Sequence, residues 1–434
     1  MVESKLPAAP ITSNNTLGGR VAQDAQTGRR DHLIGNKANI ISIVFVCLYF
    51  YYLWQPPIFQ LPHLRWYIVI IWAVVAYLAH KTSLNLKAAS VYWIVYGIAF
   101  LGACLSLLRA PQLEHALTNT VAAGVNFLYF LLFIPILANK TTRLMLLIIL
   151  LGVSFLWVTE VISLLVNHSR LIYSTFAETG DNKNFIGFLF SLASTALLYL
   201  SLTVTSQRYS RLAIILTRGL LAALSVGFLF MTALIYARSS ILAALVGWIA
   251  VMAVSFYKRA IKTSKILQIV SLSAFFMLSA VILLPRIVEL SPQWQMIARN
   301  VEREGIDAFH SRQMLIRKGL FLVSENPILG VGIGGSRFPV ESPRENFPGF
   351  LIHNSYLSDW AERGLLGLLS NIMLVCFYIQ IFRKKFIYLS SVDQIWMLLI
   401  FQLFFSMMFI DMNTTTMMMV SILAGINHVK RSGK

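Results

Sequence analysis

The sequence predicts an all-α polytopic membrane protein, with about twelve transmembrane helices and one large extracytoplasmic helical loop. Three observations predict it. Of 434 residues, 57% are hydrophobic and 12% charged, and mean hydropathy is +0.70, far from the balance of a soluble domain. Apolar runs of roughly 16 to 23 residues recur along the chain, close to the length a helix needs to cross a bilayer core. The runs lack the two-residue alternation of a transmembrane barrel, and helices are then the way left to satisfy the backbone in lipid.

The elements follow in order. Residues 1–37 are polar and lack the apolar core and cleavage site of a signal peptide, so they read as a cytoplasmic tail. Residues 38–284 hold nine spans, near 38–54, 65–80, 89–108, 118–138, 144–166, 185–205, 212–235, 241–257 and 266–284. Residues 285–364 form the large loop. Three more spans, near 365–382, 394–411 and 415–428, fill residues 365–428, and 429–434 is a second cytoplasmic tail. Cys47, Cys104 and Cys376 all fall within spans, which suggests neither a disulfide framework nor a thiolate metal site.

A net charge of +18 invites a nucleic-acid partner, and topology removes it. With both termini cytoplasmic, the inner segments carry 21 Lys and Arg against four acidic residues; the outer segments carry 14 against 13. The excess sits where the positive-inside rule places it, against anionic headgroups of the membrane lipids. The large loop therefore faces the extracytoplasmic side.

Within that loop, Pro292 opens a segment whose Trp294, Ile297, Ala298 and Val301 share one face, the pattern of an interfacial helix. Ser311 is placed to cap a helix from Arg312 to about Ser324, ended by Asn326-Pro327. A glycine-dense turn and a segment broken by Pro339, Pro343 and Pro348 follow. A third helix begins near His353 or Asn354 and runs toward the span from Leu365, with Asp359 and Arg363 paired at i, i+4 spacing.

This loop is where polar chemistry has room, and each candidate group has two readings. Gly330 to Gly335 spells G-x-G-x-x-G, but no βαβ unit surrounds it, so a dinucleotide site is excluded. The glycines, Gly332 and Gly334 among them, read instead as a tight turn bringing backbone close to another helix or to a ligand. His353 opens a helix, where the positive helix end biases the imidazole toward its neutral form. It reads as a general base for a hydroxyl, or as an interfacial His bonded to a loop carbonyl. Arg238, in a short turn between spans, either snorkels or meets an anion. Arg312 and Arg317 lie on different faces of the loop helix, and one of them with Arg238 would bracket a diphosphate. Glu160, toward the outer end of its span, is a structural ion-pair partner or a catalytic acid. Asp181, Asn182, Lys183 and Asn184 form a sugar-binding rim or a solvated loop. Asn354 and Tyr356 are supporting candidates beside His353. No H-E-x-x-H, paired-carboxylate or D-x-D pattern appears, so nothing demands a metal, and no cofactor is implied.

The ordered set of ARSS with Arg238, SR…NPILGVGIGG with Arg312 and HNSYL…ERGLLGL with His353 resembles the O-antigen ligase and Wzy-type polymerase family. The likeness concentrates in residues 236–368. It implies a membrane-embedded glycosyltransferase architecture like the C type, in the bacterial inner membrane, with its site on the periplasmic face. It also implies a donor glycan on undecaprenyl diphosphate and, for a ligase, lipid A–core as acceptor. By the resemblance Arg238 and Arg312 hold the donor diphosphate and His353 activates the acceptor, in a metal-independent single displacement that inverts the anomeric carbon. An aromatic residue expected a few positions after Arg312 is absent, with Ile316-Arg317 there instead, so Arg317 stays open as the donor ligand. A Wzy-type polymerase, a protein O-oligosaccharyltransferase and a secondary transporter are the competing readings. A transporter would gather its polar groups near the midplane, whereas here they gather at the outer face. Oligomeric state is not written in the sequence.

Overall fold

A computed structural model describes residues 86–167, 183–204, 210–235, 237–257, 312–342, 346–350, 352–408 and 413–428, together with Val44. The spans expected near 38–54 (apart from Val44), 65–80 and 266–284, the Pro292 helix and both tails lie outside the described residues. The described chain is nearly all helix. It comprises α1 (Leu86–Ser106), α2 (Leu113–Leu137), α3 (Lys140–Asn167), α4 (Lys183–Thr203), α5 (Arg211–Leu234) and α6 (Arg238–Tyr257). There follow α7 (312–325), a two-residue β1 (Val340–Glu341) antiparallel to β2 (Asn346–Phe347), then α8 (Ser355–Lys385), α9 (Ser391–Ser406) and α10 (Asn413–His428). Nine of the expected spans fall on these helices. Among the described residues six helices are long and apolar enough to cross a membrane, lying in α1, α3, α4, α5, α6 and α8; α9 is a shorter apolar helix.

Local chemistry sets several helix starts. Ser210 caps α5 by accepting from the Ala213 N–H (3.2 Å), and Asn354 caps α8 by accepting from the Leu357 N–H (3.0 Å). Each satisfies one amide that the first helical turn leaves without a partner.

Packing then orders the bundle. Of the apolar window in α4, 83% is buried, against 17% in α5, so α4 is central and α5 lines the rim. Small residues let α6 lie along α4: Gly187 faces Ala237 and Ser240, and further along Gly247 faces Thr195. The two helices are therefore parallel. Antiparallel to them runs α9, whose Gln402 Nε2 donates to Ser191 Oγ (2.9 Å) while Tyr199 donates to Gln394, two turns earlier. The Ser355 N–H donates to Met407 O at 2.8 Å, which sets the start of α8 at the end of α9.

These contacts place the N-termini of α4, α6 and α8 at one end of the bundle. At the other end lie the starts of α3 and α9, joined through Arg143 and Asp393, and the ends of α8 and α10, joined through Lys385 and Asn427. The directions of α3, α4, α6, α8, α9 and α10 set by these contacts are compatible with helices that alternate in direction. One expectation is corrected. Arg143, one of the 21 inner basic residues placed against lipid headgroups, is 1% exposed. Its Nε donates to Asp393 Oδ1 (2.6 Å) and its Nη1 to Leu137 O (2.5 Å). Its partner, Asp393 in the first turn of α9, is likewise buried, so the pair is closed off from headgroups.

Candidate functional site

Helix α7 is amphipathic. Leu315, Lys318, Gly319 and Leu322 are inward, while Gln313, Ile316, Arg317 and Leu320 are exposed. Gly319 is what lets α7 approach the start of α8: a Cβ there would sit 2.6 Å from Leu357 Cδ2 and 3.1 Å from Ile352 Cδ1. Arg312 is half-buried at the N-terminal end of α7, and Arg317 is on its exposed face.

Lys318 is fully buried in the middle of the helix, and sequence reasoning passed over it. Its ammonium donates to Phe338 O (2.8 Å), Pro348 O (2.7 Å) and Phe350 O (3.2 Å). Those three carbonyls use all three N–H groups. Burial lowers its pKa to about 8. The proline-broken segment, which has little regular structure of its own, is thus gathered around one cation just before His353.

The glycine turn meets a helix rather than an open cleft. Gly330, Gly332 and Gly334 have φ of 73°, 87° and 79°, the left-handed region that favours glycine. Gly332 packs on Ala110 and Ala116, Gly334 on His115 and Asn119, both at the start of α2. Asn119 Nδ2 donates to Ile333 O at 3.4 Å. Of the two readings for Gly332 and Gly334, close approach to a helix is the one realised among the described residues.

Helix α8 begins where expected but is not continuous. It breaks at Gly364 (φ 64°, ψ −154°). The turn repairs the break. The Val331 N–H donates to Ala361 O (2.9 Å), the Gly332 N–H to Glu362 O (3.0 Å), and the Leu365 N–H to Ile328 O (3.1 Å). Backbone groups that a broken helix leaves open are thereby paired. A Cβ at Gly364 would stand 2.0 Å from Ile328 O. The expected Asp359–Arg363 pair forms at 2.9 Å, and it is buried, with Asn371 Nδ2 donating to Asp359 at 2.9 Å.

His353 lies immediately before the cap of α8. Its side chain remains exposed. Even so, partial burial and, second, the positive charge of Arg312 lower its pKa below the ordinary histidine value. Arg312 and His353, 41 positions apart in the sequence, are thus brought within electrostatic reach, and the imidazole is held neutral at physiological pH. A neutral imidazole beside a guanidinium has the elements to accept a proton while an anion is held nearby.

The other expected residues divide. Arg238 opens α6, at the same end of the bundle as His353; its side chain lies outside the described atoms, as does Asp181. Asn184 is half-buried next to that turn, its carbonyl accepting from Ser240 Oγ at 3.3 Å. Asn354 is occupied as the α8 cap, and Tyr356 donates its hydroxyl to Phe404 O (2.9 Å). Both brace the His353 segment against its surroundings. Glu160 is half-buried in α3, and among the described residues no ion pair reaches it. Among the described residues no group of three His, Cys, Asp or Glu is placed to hold a metal ion.

Comparison with known proteins matches one family model to part of the chain. The family model described as O-Antigen ligase matches residues 220–372, a segment that takes in α6, α7, the glycine turn and the first half of α8. No curated protein matches the chain. Residues 220–372 are thus similar to the O-antigen ligase family, and this likeness supports assigning the chain to it.

Proposed function

We propose that the protein is an O-antigen ligase. In this reading it transfers a polysaccharide from undecaprenyl diphosphate to lipid A–core on the periplasmic face of the bacterial inner membrane, within a glycosyltransferase architecture of the C type. The observation that carries the reading is the approach of Arg312 to His353 inside the family-matched segment, at the bundle end where Arg238 also begins its helix.

The mechanism is a single in-line displacement at the anomeric carbon. Neutral His353 takes the proton of the acceptor hydroxyl as that oxygen attacks. The glycosidic C–O bond to the diphosphate breaks, and its electron pair leaves with undecaprenyl diphosphate. Arg238 and Arg312 stabilise the charge that develops there. Arg317, on the outer face of α7, is the weaker claimant to that role. The anomeric configuration inverts, and the family resemblance supports a metal-independent reaction.

The test uses the purified chain in lipid with undecaprenyl-diphosphate glycan and lipid A–core, comparing wild type with His353→Ala. Transfer seen as a mobility shift of the core, and lost in the variant, is the expected result. Retention of anomeric configuration would sink the displacement scheme. Longer glycans on the lipid carrier, with core unmodified, would mark a Wzy-type polymerase instead.

A further inference from the structure

Glu362 has no part in the chemistry above, yet it is 5% exposed at the centre of the contact between the glycine turn and α8. A carboxylate is rarely buried without donors around it. Arg363, its neighbour, is committed to Asp359. The donors to Glu362 come from the turn: Ser336 Oγ at 2.5 Å and the Gly334 N–H. Its own backbone carbonyl accepts from the Gly332 N–H at 3.0 Å. One residue of the helix thus receives three hydrogen bonds from one face of the turn.

The position of this contact gives it meaning. The turn follows directly from α7, which carries Arg312; Glu362 sits on the first half of α8, which carries His353 at its head. Trp360 makes a parallel link, its Nε1 donating to Pro327 O at 3.2 Å. Apolar packing of α7 on Ile352 and Leu357 through Gly319 brings the two limbs together, but apolar contact alone does not fix the register of one limb along the other. Directional hydrogen bonds do.

We infer that Glu362 is a positioning residue: by accepting hydrogen bonds from Ser336 and Gly334 it locks the glycine turn into the break of α8, and so fixes the limb bearing Arg312 relative to the limb bearing His353. The inference rests on the transferase reading above. Loss of the lock leaves donor and base both present but misaligned, which lowers turnover and spares donor binding.

The experiment uses the full chain in lipid with undecaprenyl-diphosphate glycan and lipid A–core, and the variants Glu362→Ala, Glu362→Gln and Ser336→Ala. Three quantities are read: kcat, donor KM, and amide hydrogen exchange over residues 330–335 and 361–365. Glu362→Ala is expected to speed exchange in both segments and lower kcat at least tenfold with donor KM within twofold. Glu362→Gln keeps a carbonyl acceptor and regains part of kcat, and Ser336→Ala falls between. Faster exchange with kcat within twofold of wild type in all three overturns the inference. If Glu362→Ala fails to fold, the other two variants decide by the same criteria. Wild type that transfers no glycan sinks the transferase reading, and the inference with it; active wild type with unaffected variants sinks the inference alone.

Discussion

The two ends of the bundle are held by different chemistry. At the end remote from His353, the joint is between side chains: Arg143 and Asp393, 1% and 5% exposed, form a closed pair, with Ser390 Oγ donating to the second Asp393 oxygen at 2.8 Å. At the His353 end the joint is largely backbone to backbone, three amides and three carbonyls exchanged between turn and helix break. A buried ion pair consumes its charges. At this end a buried pair, Asp359 with Arg363, lies beside the backbone joint, and Arg312 comes within electrostatic reach of His353. The closed end is built for stability, the other end for presenting polar groups.

Breaking this contrast gives graded predictions. The largest effect is expected from His353→Ala, which should lower kcat by about 10²–10⁴-fold, the range for a general base, with little change in the thermal midpoint. Unchanged kcat would remove His353 from the proposed chemistry. Next, Arg143→Ala leaves Asp393 buried and without its main partner. It should cost about 3–5 kcal/mol in denaturant unfolding while kcat of the folded fraction stays near wild type.

Gly364→Ala comes third. It places a Cβ against Ile328 O at a residue with φ of 64°, and should cost about 1–3 kcal/mol together with faster exchange at Val331 and Leu365. Unaltered exchange there would mean the break does not depend on glycine.

A smaller effect concerns pH. The folded pKa of His353 is lowered from 6.5 by burial and then by Arg312. Less proton is bound below pH 6.5 than in the unfolded chain, so the neutral base persists into mildly acid solution and the acidic limb of kcat/KM lies below 6.5. Arg312→Gln removes one of the two causes, and the limb should move upward in pH, toward but not past 6.5. A limb that stays in place would separate the two groups. Smallest of all, Arg317→Ala on the exposed face should change stability by no more than about 0.5 kcal/mol and kcat/KM by less than Arg312→Ala does.

Much of this was legible in the chain. Hydrophobic length is a one-dimensional property, so the helices from Leu86 to His428 could be placed near their observed limits. The glycines of the turn, the Asn326-Pro327 stop after α7 and the i, i+4 pairing of Asp359 with Arg363 are local features, and each formed. The gaps share a cause. Arg143 looked like one more basic residue at a helix end, because its partner lies 250 positions away. Lys318 looked like a surface lysine in a mixed helix, because the carbonyls it gathers belong to a segment with no sequence signature. The break at Gly364 lies where the polar DWAER segment meets the apolar run from Leu365, and only the arrival of Ile328 and Val331 supplies the backbone partners that make it tolerable.

By itself, then, the sequence determined a multi-helix membrane-type chain and a loop rich in the residues of phosphate and proton chemistry. These follow from hydropathy, charge distribution and local spacing. Tertiary structure alone decided which of those residues hold the fold and which come together. Asn354 and Tyr356 form a cap and a brace, Gly332 and Gly334 pack on α2, and Arg312 comes within electrostatic reach of His353. A side chain's partner is set by packing in three dimensions, and no periodicity along the chain encodes it.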